Sequence, residues 1–443
     1  MNPTHTPFLL RRELQHRLDT LARAHRVPGA QLVVDTGSEI VAVHTGTADV
    51  ATGTPFTADT AVPLGSLTKP CTAALVLLLA DDGDLDLDDP VAEYLPELRN
   101  VPEVTIRQLL SHTGGLPTGP DSDAARRAGA AHYLSSVCTA RDLLFAPGTD
   151  FSYSNAGYVA AGRLAETVTG MPWHEAVGAL LLEPMGIMPA FLGTSAARPV
   201  ATGHGFNNAT GRTRPVQQDL APLEAPAGAL LASAIDLGIL GRAVAGQSLC
   251  LPSAIVKHMR GAEPGAEPGA LADGWGLGLA LFRQGDQLWC GHDGNAQGTS
   301  CHLRVEPDSG VVVAFTGNAG AATALWQDLA EDLARIADVP VPAGMEPANA
   351  GVPVVLPECA GTYANGGMRY RVALQPGGPA TLSIDGDLDL PLVCYPDLSC
   401  DLLDPATGRK QPGGRFHRDP ATGVIDRVQI SGRTARRIGL AEV

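Results

Sequence analysis

Three short groups of residues carry side chains suited to proton and acyl chemistry: Ser66-Leu67-Thr68-Lys69, Tyr153-Ser154-Asn155 and His292-Asp293-Gly294. The first stands out because lysine is rare. Of 31 lysines and arginines, only Lys69, Lys257 and Lys410 are lysine. A surface cation could be arginine, but a residue that must lose and regain a proton could not, because arginine stays charged while a desolvated lysine titrates. On a helix, positions i and i+3 share a face, so the Ser66 hydroxyl and the Lys69 amine can meet. The amine is then the base that turns a poor nucleophile into a good one. A serine three residues before a lysine also arises by chance, so the companion groups decide the reading.

Tyr153 and Asn155 flank a serine in "FSYSNAGY", just before a predicted helix. Beside a cation a tyrosine hydroxyl loses its proton more readily and can shuttle protons to a leaving group. Asn155 both donates and accepts, so it can hold Lys69 and bind a substrate amide. In "QLWCGHDGNAQG" a strand runs into His292 and Gly294, and glycine there lets a substrate backbone lie against the strand edge. The N–H of Asn295 is a candidate for one arm of an oxyanion hole, with the N–H of Ser66 as the other. The remaining histidines, His112 and His204 among them, read as loop or surface residues without metal-ligand spacing, so neither a metal nor a cofactor is expected.

These residues need a scaffold, and the hydrophobic pattern supplies one. Leu14, Leu18, Leu21 and Ala22 recur at helical spacing within Leu9 to His25. Two β-rich runs, "AQLVVDT" and "EIVAVHTG", follow as a hairpin around Gly37-Ser38. The middle of the chain is helical and loop-rich, with Ser233 three before Asp236 as a helix start. Strands return in "WGLGLALFR", "QLWCGHDG", "SCHLRVEP" and "GVVVAFTG", and the helix "AATALWQDLAEDLARIAD" closes this part. The pattern predicts an α+β domain over 1–340: one antiparallel sheet flanked by helices, with a helical lobe inserted. A Pro/Gly-rich linker at 341–356 leads to a small all-β domain at 357–443, a barrel or a sandwich. "GAEPGAEPGA", from Gly261 to Ala270, reads as a surface loop. Pro70 is an oddity: without an N–H it leaves the Ser66 carbonyl lacking its usual helical partner.

The bulk numbers narrow the classes. A formal charge of −16 and 18% charged residues argue against nucleic acid and anionic membranes as partners. The apolar run Ala73 to Ala80 is too short to span a bilayer. The N-terminal segment shows no basic stretch followed by an apolar core and cleavage site. The eight cysteines are scattered with no CxxC pair, as for free buried thiols in a reducing compartment. A cytoplasmic location is expected.

Taken in order, Ser66-x-x-Lys69, Tyr153-Ser154-Asn155 and His292-Asp293-Gly294 resemble the SxxK, YxN and [KH]xG motifs of the serine β-lactamase and penicillin-binding protein superfamily, in its class C β-lactamase and DD-peptidase branch. "TIRQLLSHTGGLP", "PAGALLASAIDL" and "WGLGL" look like that branch too. The resemblance covers roughly residues 10 to 340. It implies a serine β-lactamase-like fold in which Ser66 is acylated, Lys69 is its base, Tyr153 relays the proton and Asn155 supports both. His292 takes the place held elsewhere by a lysine, a departure that weakens the β-lactamase reading.

In layout the chain is most similar to the stand-alone penicillin-binding-protein-type thioesterases. That resemblance implies a lipocalin-like C-terminal β-domain. It also implies a nonribosomal peptidyl thioester, delivered by a carrier protein and ending in a D-configured residue, released as a head-to-tail macrolactam. A cytosolic serine esterase or D-aminopeptidase/DD-peptidase-like hydrolase is the alternative. Arg433, Arg436 and Arg437 on the last predicted strand are candidates for binding peptide carbonyls or a carboxylate.

Overall fold

The computed structural model describes residues 7–101, 103–119, 127–207, 210–347, 351–375, 380–386, 388–404 and 408–440. Residues 1–6, part of the segment read for an export signal, and 348–350 of the linker lie outside these. The chain divides into two units, one of residues 1–87, 161–261 and 276–343, the other of 88–160, 262–275 and 344–443.

In the first unit the predicted hairpin forms strands β1 (Gly29–Asp35) and β2 (Ile40–Asp49), with β3 (Thr54–Pro55) beyond it. The later strands are β4 (Ala280–Gln284), β5 (Gln287–Ala296), β6 (Thr299–Glu306) and β7 (Val311–Gly317). They form an antiparallel sheet in the order β3-β2-β1-β7-β6-β5-β4. The first and last parts of this unit meet at its centre, where Leu32 pairs with Phe315. Helix α1 (Pro7–Ala24) packs on β2 and on α5 (Ala322–Ile336). Helix α4 (Ala234–Val244) lies on β1, β6 and β7, and is opened by the predicted Ser233–Asp236 capping box.

Residues on successive strand positions face opposite sides. Val33, Ala314, Leu303 and His292 are in register and so share one face, the α4 face, where Gly238 meets Val33 and Gly241 meets Val312 and Leu303. Asp293 and its partner His302 point to the other face, where His302 stacks on Trp326 of α5.

Helix α2 (Lys69–Asp81) holds the apolar run and is buried nearly all round, from Lys69 to Leu77 and again at Leu79. Such a helix belongs to a protein core. No described helix is long and apolar enough to cross a membrane.

The second unit contains a closed antiparallel barrel of eight strands: β8 (Gly361–Asn365), β9 (Met368–Ala373), β10 (Ala380–Ile384), β11 (Leu388–Cys394), β12 (Ser399–Leu403), β13 (Lys410–Arg418), β14 (Ile425–Ile430) and β15 (Arg433–Leu440). Closure against β8 leaves no sheet edge. Of the two forms left open by the sequence, the barrel is the one found, in keeping with a lipocalin-like domain. Tyr363, Val372, Leu382, Leu392, Phe416 and Val428 fill its core. The loop read as featureless surface packs against this domain: Gln429 Nε2 donates to the Glu267 carbonyl, and Leu271 fills the space beside Gly432. All eight cysteines are free, and Cys250 is the only one not buried.

Candidate active site

In the first unit, Ser66 lies in a single 3-10 turn, Gly65–Thr68, that runs directly into α2. The turn puts Lys69 at the helix start, fully buried, with Nζ 3.1 Å from Ser66 Oγ and donating to the Ala227 carbonyl at 3.0 Å. Ala227 is held by its neighbours. Thr72 donates to the Pro226 carbonyl at 2.7 Å, Trp173 Nε1 donates to Thr72 Oγ1, and the Leu230 N–H donates to Thr68 Oγ1. With one N–H committed to Ala227, the Lys69 amine can turn its lone pair to the serine proton once it has lost its own.

The tight turn corrects one expectation. The Ser66 carbonyl has a partner, because it accepts the N–H of Lys69 in the 3-10 pattern. Pro70 occupies the second helical position, where a missing N–H costs nothing.

Strand β5 reaches the serine turn by backbone contact. Gly65 has φ of +54°, and a Cβ there would lie 2.1 Å from the Asn295 carbonyl oxygen. A Cβ on Gly294 would lie 2.0 Å from the Leu64 carbonyl oxygen and 2.8 Å from the Leu67 nitrogen. The space beside Gly294, expected to take a substrate backbone, is thus filled by the protein's own serine turn. In an antiparallel ladder the N–H and C=O of one residue leave by the same edge. The Asn295 carbonyl meets Gly65, so its N–H also emerges toward the serine turn, as an oxyanion arm requires. The Asn295 side chain is exposed.

His292 is buried on the same face. Its Nδ1 lies 2.6 Å from the Asp293 carbonyl, which can only accept, so Nδ1 carries the proton. Burial, with the nearby Lys69 charge, pushes the imidazole down to about 4, so it is neutral at physiological pH. Behind it, Asp293 receives NH1 and NH2 of Arg304, at 2.7 and 3.1 Å, and Nδ1 of His302 at 2.7 Å. Burial pushes the Asp293 carboxyl up, but Arg304 and His302 outweigh it and hold it well below the usual carboxylate range.

Tyr153, Asn155 and Arg436 belong to the second unit. Asn155 opens helix α3 (Asn155–Thr169), and Ser154 caps it by accepting the Gly157 N–H at 2.9 Å. Asn155 N–H donates to the Thr118 carbonyl, while its buried Oδ1 accepts no hydrogen bond from the described residues. Tyr153 is 5% exposed, with its ring 4.4 Å from that of His112 and the Arg433 guanidinium 5.2 Å from its centre. Its N–H donates to the Gly432 carbonyl, in the turn between β14 and β15.

Arg433 Nε donates to Thr118 Oγ1, and Arg436 Nε to the Leu144 carbonyl at 2.7 Å. Arg437 donates to the carbonyls of Glu358, Ile425 and Ala360.

Several contributors escaped the sequence reading. His112 and His204 are buried, not surface residues. His112 adopts a left-handed φ of +60° and accepts the Ser154 N–H on Nδ1, beside rings of Phe151, Tyr158 and Trp275. His204 Nδ1 lies 2.9 Å from the Asn318 carbonyl. Ala227 acts through its carbonyl, which leaves no mark in residue type. The "PAGALLASAIDL" segment was the available signal.

Comparison with known proteins agrees with this geometry. Residues 10–337 match the family described as Beta-lactamase. The chain is 32% identical over 370 residues to Penicillin-binding protein 4 of Amycolatopsis lactamdurans, covering 80% of this chain and 97% of that one. The crystal structure of SurE is similar at 38% identity and a TM-score of 0.84, covering 97% of this chain and 99% of that one; SurE is also known with D-Leu. A D-stereospecific amidohydrolase from Streptomyces sp. is 27% identical with a TM-score of 0.59, over 71% of this chain and 97% of its own. With a family match over residues 10–337 and a hydrogen-bonded Ser66–Lys69 pair at its centre, the chain belongs to the beta-lactamase family of serine hydrolases.

Proposed function

We propose that this protein is a serine acyltransferase that takes a nonribosomal peptidyl thioester with a D-configured C-terminal residue from a carrier protein onto Ser66 and releases it as a head-to-tail macrolactam. The observation that carries this reading is the likeness to SurE, a protein also seen with D-Leu, over 97% of the chain and so through the C-terminal barrel as well as the catalytic region. The site chemistry supports it. A neutral, buried His292 suits an acyl donor without a free carboxylate, because it offers no cation to pair with one.

In the acylation step Ser66 Oγ attacks the thioester carbonyl as its proton passes to Lys69. The N–H groups of Ser66 and Asn295 receive the developing oxyanion. The C–S bond breaks, and the thiolate leaves with a proton delivered through Tyr153. In the second step the peptide's own amine attacks the Ser66 ester. The amide forms, the amine gives up its proton and Ser66 Oγ is reprotonated. An amine on the same chain has a large effective molarity over water once the peptide folds back. A substrate made inside the cell fits the cytoplasmic setting proposed.

The alternative is a cytosolic serine esterase or a D-aminopeptidase/DD-peptidase-like hydrolase, favoured by the likeness to the D-stereospecific amidohydrolase. Incubation with a D-terminated peptidyl pantetheine thioester separates the two. Cyclic product that depends on Ser66 supports the cyclase, and linear acid alone supports the hydrolase.

A further inference from the structure

We propose that the Arg304–Asp293 ion pair is a positioning device for His292: it fixes the Asp293 carbonyl that holds the imidazole in its Nδ1–H tautomer, so that the ring presents Nε2 as an acceptor on the Ser66–Lys69 side. The functional half of this inference rests on Ser66 being the acylated nucleophile.

His292 and Asp293 are consecutive on β5 and so face opposite sides of the sheet. The side chain of Asp293 is therefore no part of the reacting face, yet it is the most heavily held group on the strand. Arg304 is fully buried, with its guanidinium 4.1 Å from the Phe282 ring and 5.8 Å from the Trp326 ring. Besides both Asp293 oxygens it donates to the carbonyls of Leu303, Pro342 and Ala343. His302 gives Asp293 its Nδ1–H, stacks on Trp326 at 4.9 Å and 7°, and accepts on Nε2 from Ser300.

Arg304 is buried while the Asp293 side chain is 38% exposed, and well-packed apolar residues commonly serve as well as a buried charge for stability alone. Here three N–H donors, two from Arg304 and one from His302, converge on the single residue between His292 and Gly294. What those contacts fix is the Asp293 peptide unit. Its carbonyl accepts from His292 Nδ1 at 2.6 Å, and the strand then continues into the Gly294–Asn295 contact with the serine turn. Which nitrogen of a functional imidazole carries the proton is set by the hydrogen bond that its partner nitrogen makes. A carbonyl facing Nδ1 can be met only by the tautomer that carries its proton there, so the fixed Asp293 carbonyl selects one. Asp293 and Arg304 are thus positioning residues that never meet substrate.

The test uses the full chain with ¹⁵N-labelled histidine. Long-range ¹H–¹⁵N spectra should show His292 as the Nδ1–H tautomer at neutral pH. In Asp293→Asn the signal should become a mixture of tautomers. Acylation of Ser66 by a p-nitrophenyl ester should slow by about tenfold to a hundredfold, by analogy with the loss when the outer partner of a metal-bound imidazole is removed. KM should change less than kcat, because the substrate's own contacts remain. Asp293→Asn leaves Arg304 buried and uncompensated, so Asp293→Asn/Arg304→Met, which removes both charges, is the companion variant that keeps a fold. An unchanged tautomer in a folded variant, or an unchanged acylation rate with a mixed tautomer, would overturn the proposal. If the wild type itself accepts no ester or thioester, the acyltransferase reading fails, while the tautomer spectra still decide whether the pair orients His292.

Discussion

The backbone N–H of Tyr153 donates to the carbonyl of Gly432, so the tyrosine of the second motif is tied to the turn that joins the last two barrel strands. The tie is reinforced on both sides. Thr434 Oγ1 donates to the Phe151 carbonyl at 2.8 Å and Gln429 Nε2 reaches the same carbonyl. Asn365, fully buried in β8, accepts the Thr118 N–H at 2.7 Å and donates to Ser152 Oγ and the Thr434 carbonyl. The barrel is therefore part of the scaffold of Tyr153 and Asn155.

Asn365→Ala should accordingly act on both stability and rate. It removes the Asn365 partner of the Thr118 N–H and of the Thr434 carbonyl, while Ser152 Oγ still accepts the Thr434 N–H. A buried group so stranded costs about 1–3 kcal/mol, partly recovered by local rearrangement. The urea midpoint should fall and the acylation rate with an activated ester should fall with it. Wild-type acylation in a folded Asn365→Ala protein would show that the barrel contact is not needed to hold Tyr153.

Lys69→Arg tests why lysine stands in an arginine-rich chain. Arginine keeps the charge but cannot take the serine proton, and the loss of a general base costs about a hundredfold to ten-thousandfold. The initial burst of p-nitrophenol, stoichiometric with Ser66, should disappear on the same timescale. A burst within tenfold of wild type would remove Lys69 from the role of base.

The contrast between these two residues shows what the chain reveals when read as a string. Lys69 and Ser66 were legible because local helical geometry brings i and i+3 together whatever the rest of the chain does. The sheet was legible from period-2 strands such as "SCHLRVEP", and the α4 start from the Ser233–Asp236 box. Asn365 and Thr434 were not, because their partners Ser152 and Phe151 lie far away in sequence and no periodicity records the match. His112 misled for a related reason: "SHTGG" has a loop's composition, yet the loop is buried and holds Ser154. Arg304 was not legible at all, since only the packing of α5 on the sheet buries its guanidinium beside Asp293.

Acid should expose the buried state of His292. Its folded pKa of about 4 lies below the unfolded value of 6.5, so between these limits the unfolded chain binds the extra proton. Stability from this group is therefore full above about pH 6.5 and is lost as pH falls toward 4, by about 3 kcal/mol in all. Lys69 faces the ring, and Asp293, Arg304 and His302 lie behind it. His302 is also lowered by burial, and adds a loss of the same sign. His292→Gln should flatten, without abolishing, the fall in urea midpoint between neutral pH and about pH 4.5. Equal slopes in both proteins would mean that His292 is protonated in the native state.

Gly294→Ala tests the backbone contact between β5 and the serine turn. The added Cβ would meet the Leu64 carbonyl oxygen and the Leu67 nitrogen, neither of which can move without displacing Ser66. Overpacking of this kind costs about 1–3 kcal/mol, and here it also shifts an oxyanion donor. Acylation should fall by at least about a hundredfold, the loss expected for one misplaced donor. A variant with the wild-type rate would show that the strand can retreat without disturbing the serine.

Pro70→Ala is the counter-case, where a residue beside the nucleophile should matter little. The Ser66 carbonyl already accepts the Lys69 N–H, and position two of α2 needs no N–H of its own. Alanine therefore neither restores a missing bond nor breaks an existing one. Its main effect is on the unfolded chain, which gains freedom and lowers stability by about 0.4–1 kcal/mol. The acylation rate should stay within about twofold of wild type, well under one order of magnitude in barrier terms. A large loss of rate with an intact fold would mean that proline tilts Lys69 toward Ser66. The 3.1 Å separation of Nζ and Oγ would then depend on the ring that follows the lysine and not on the turn that precedes it.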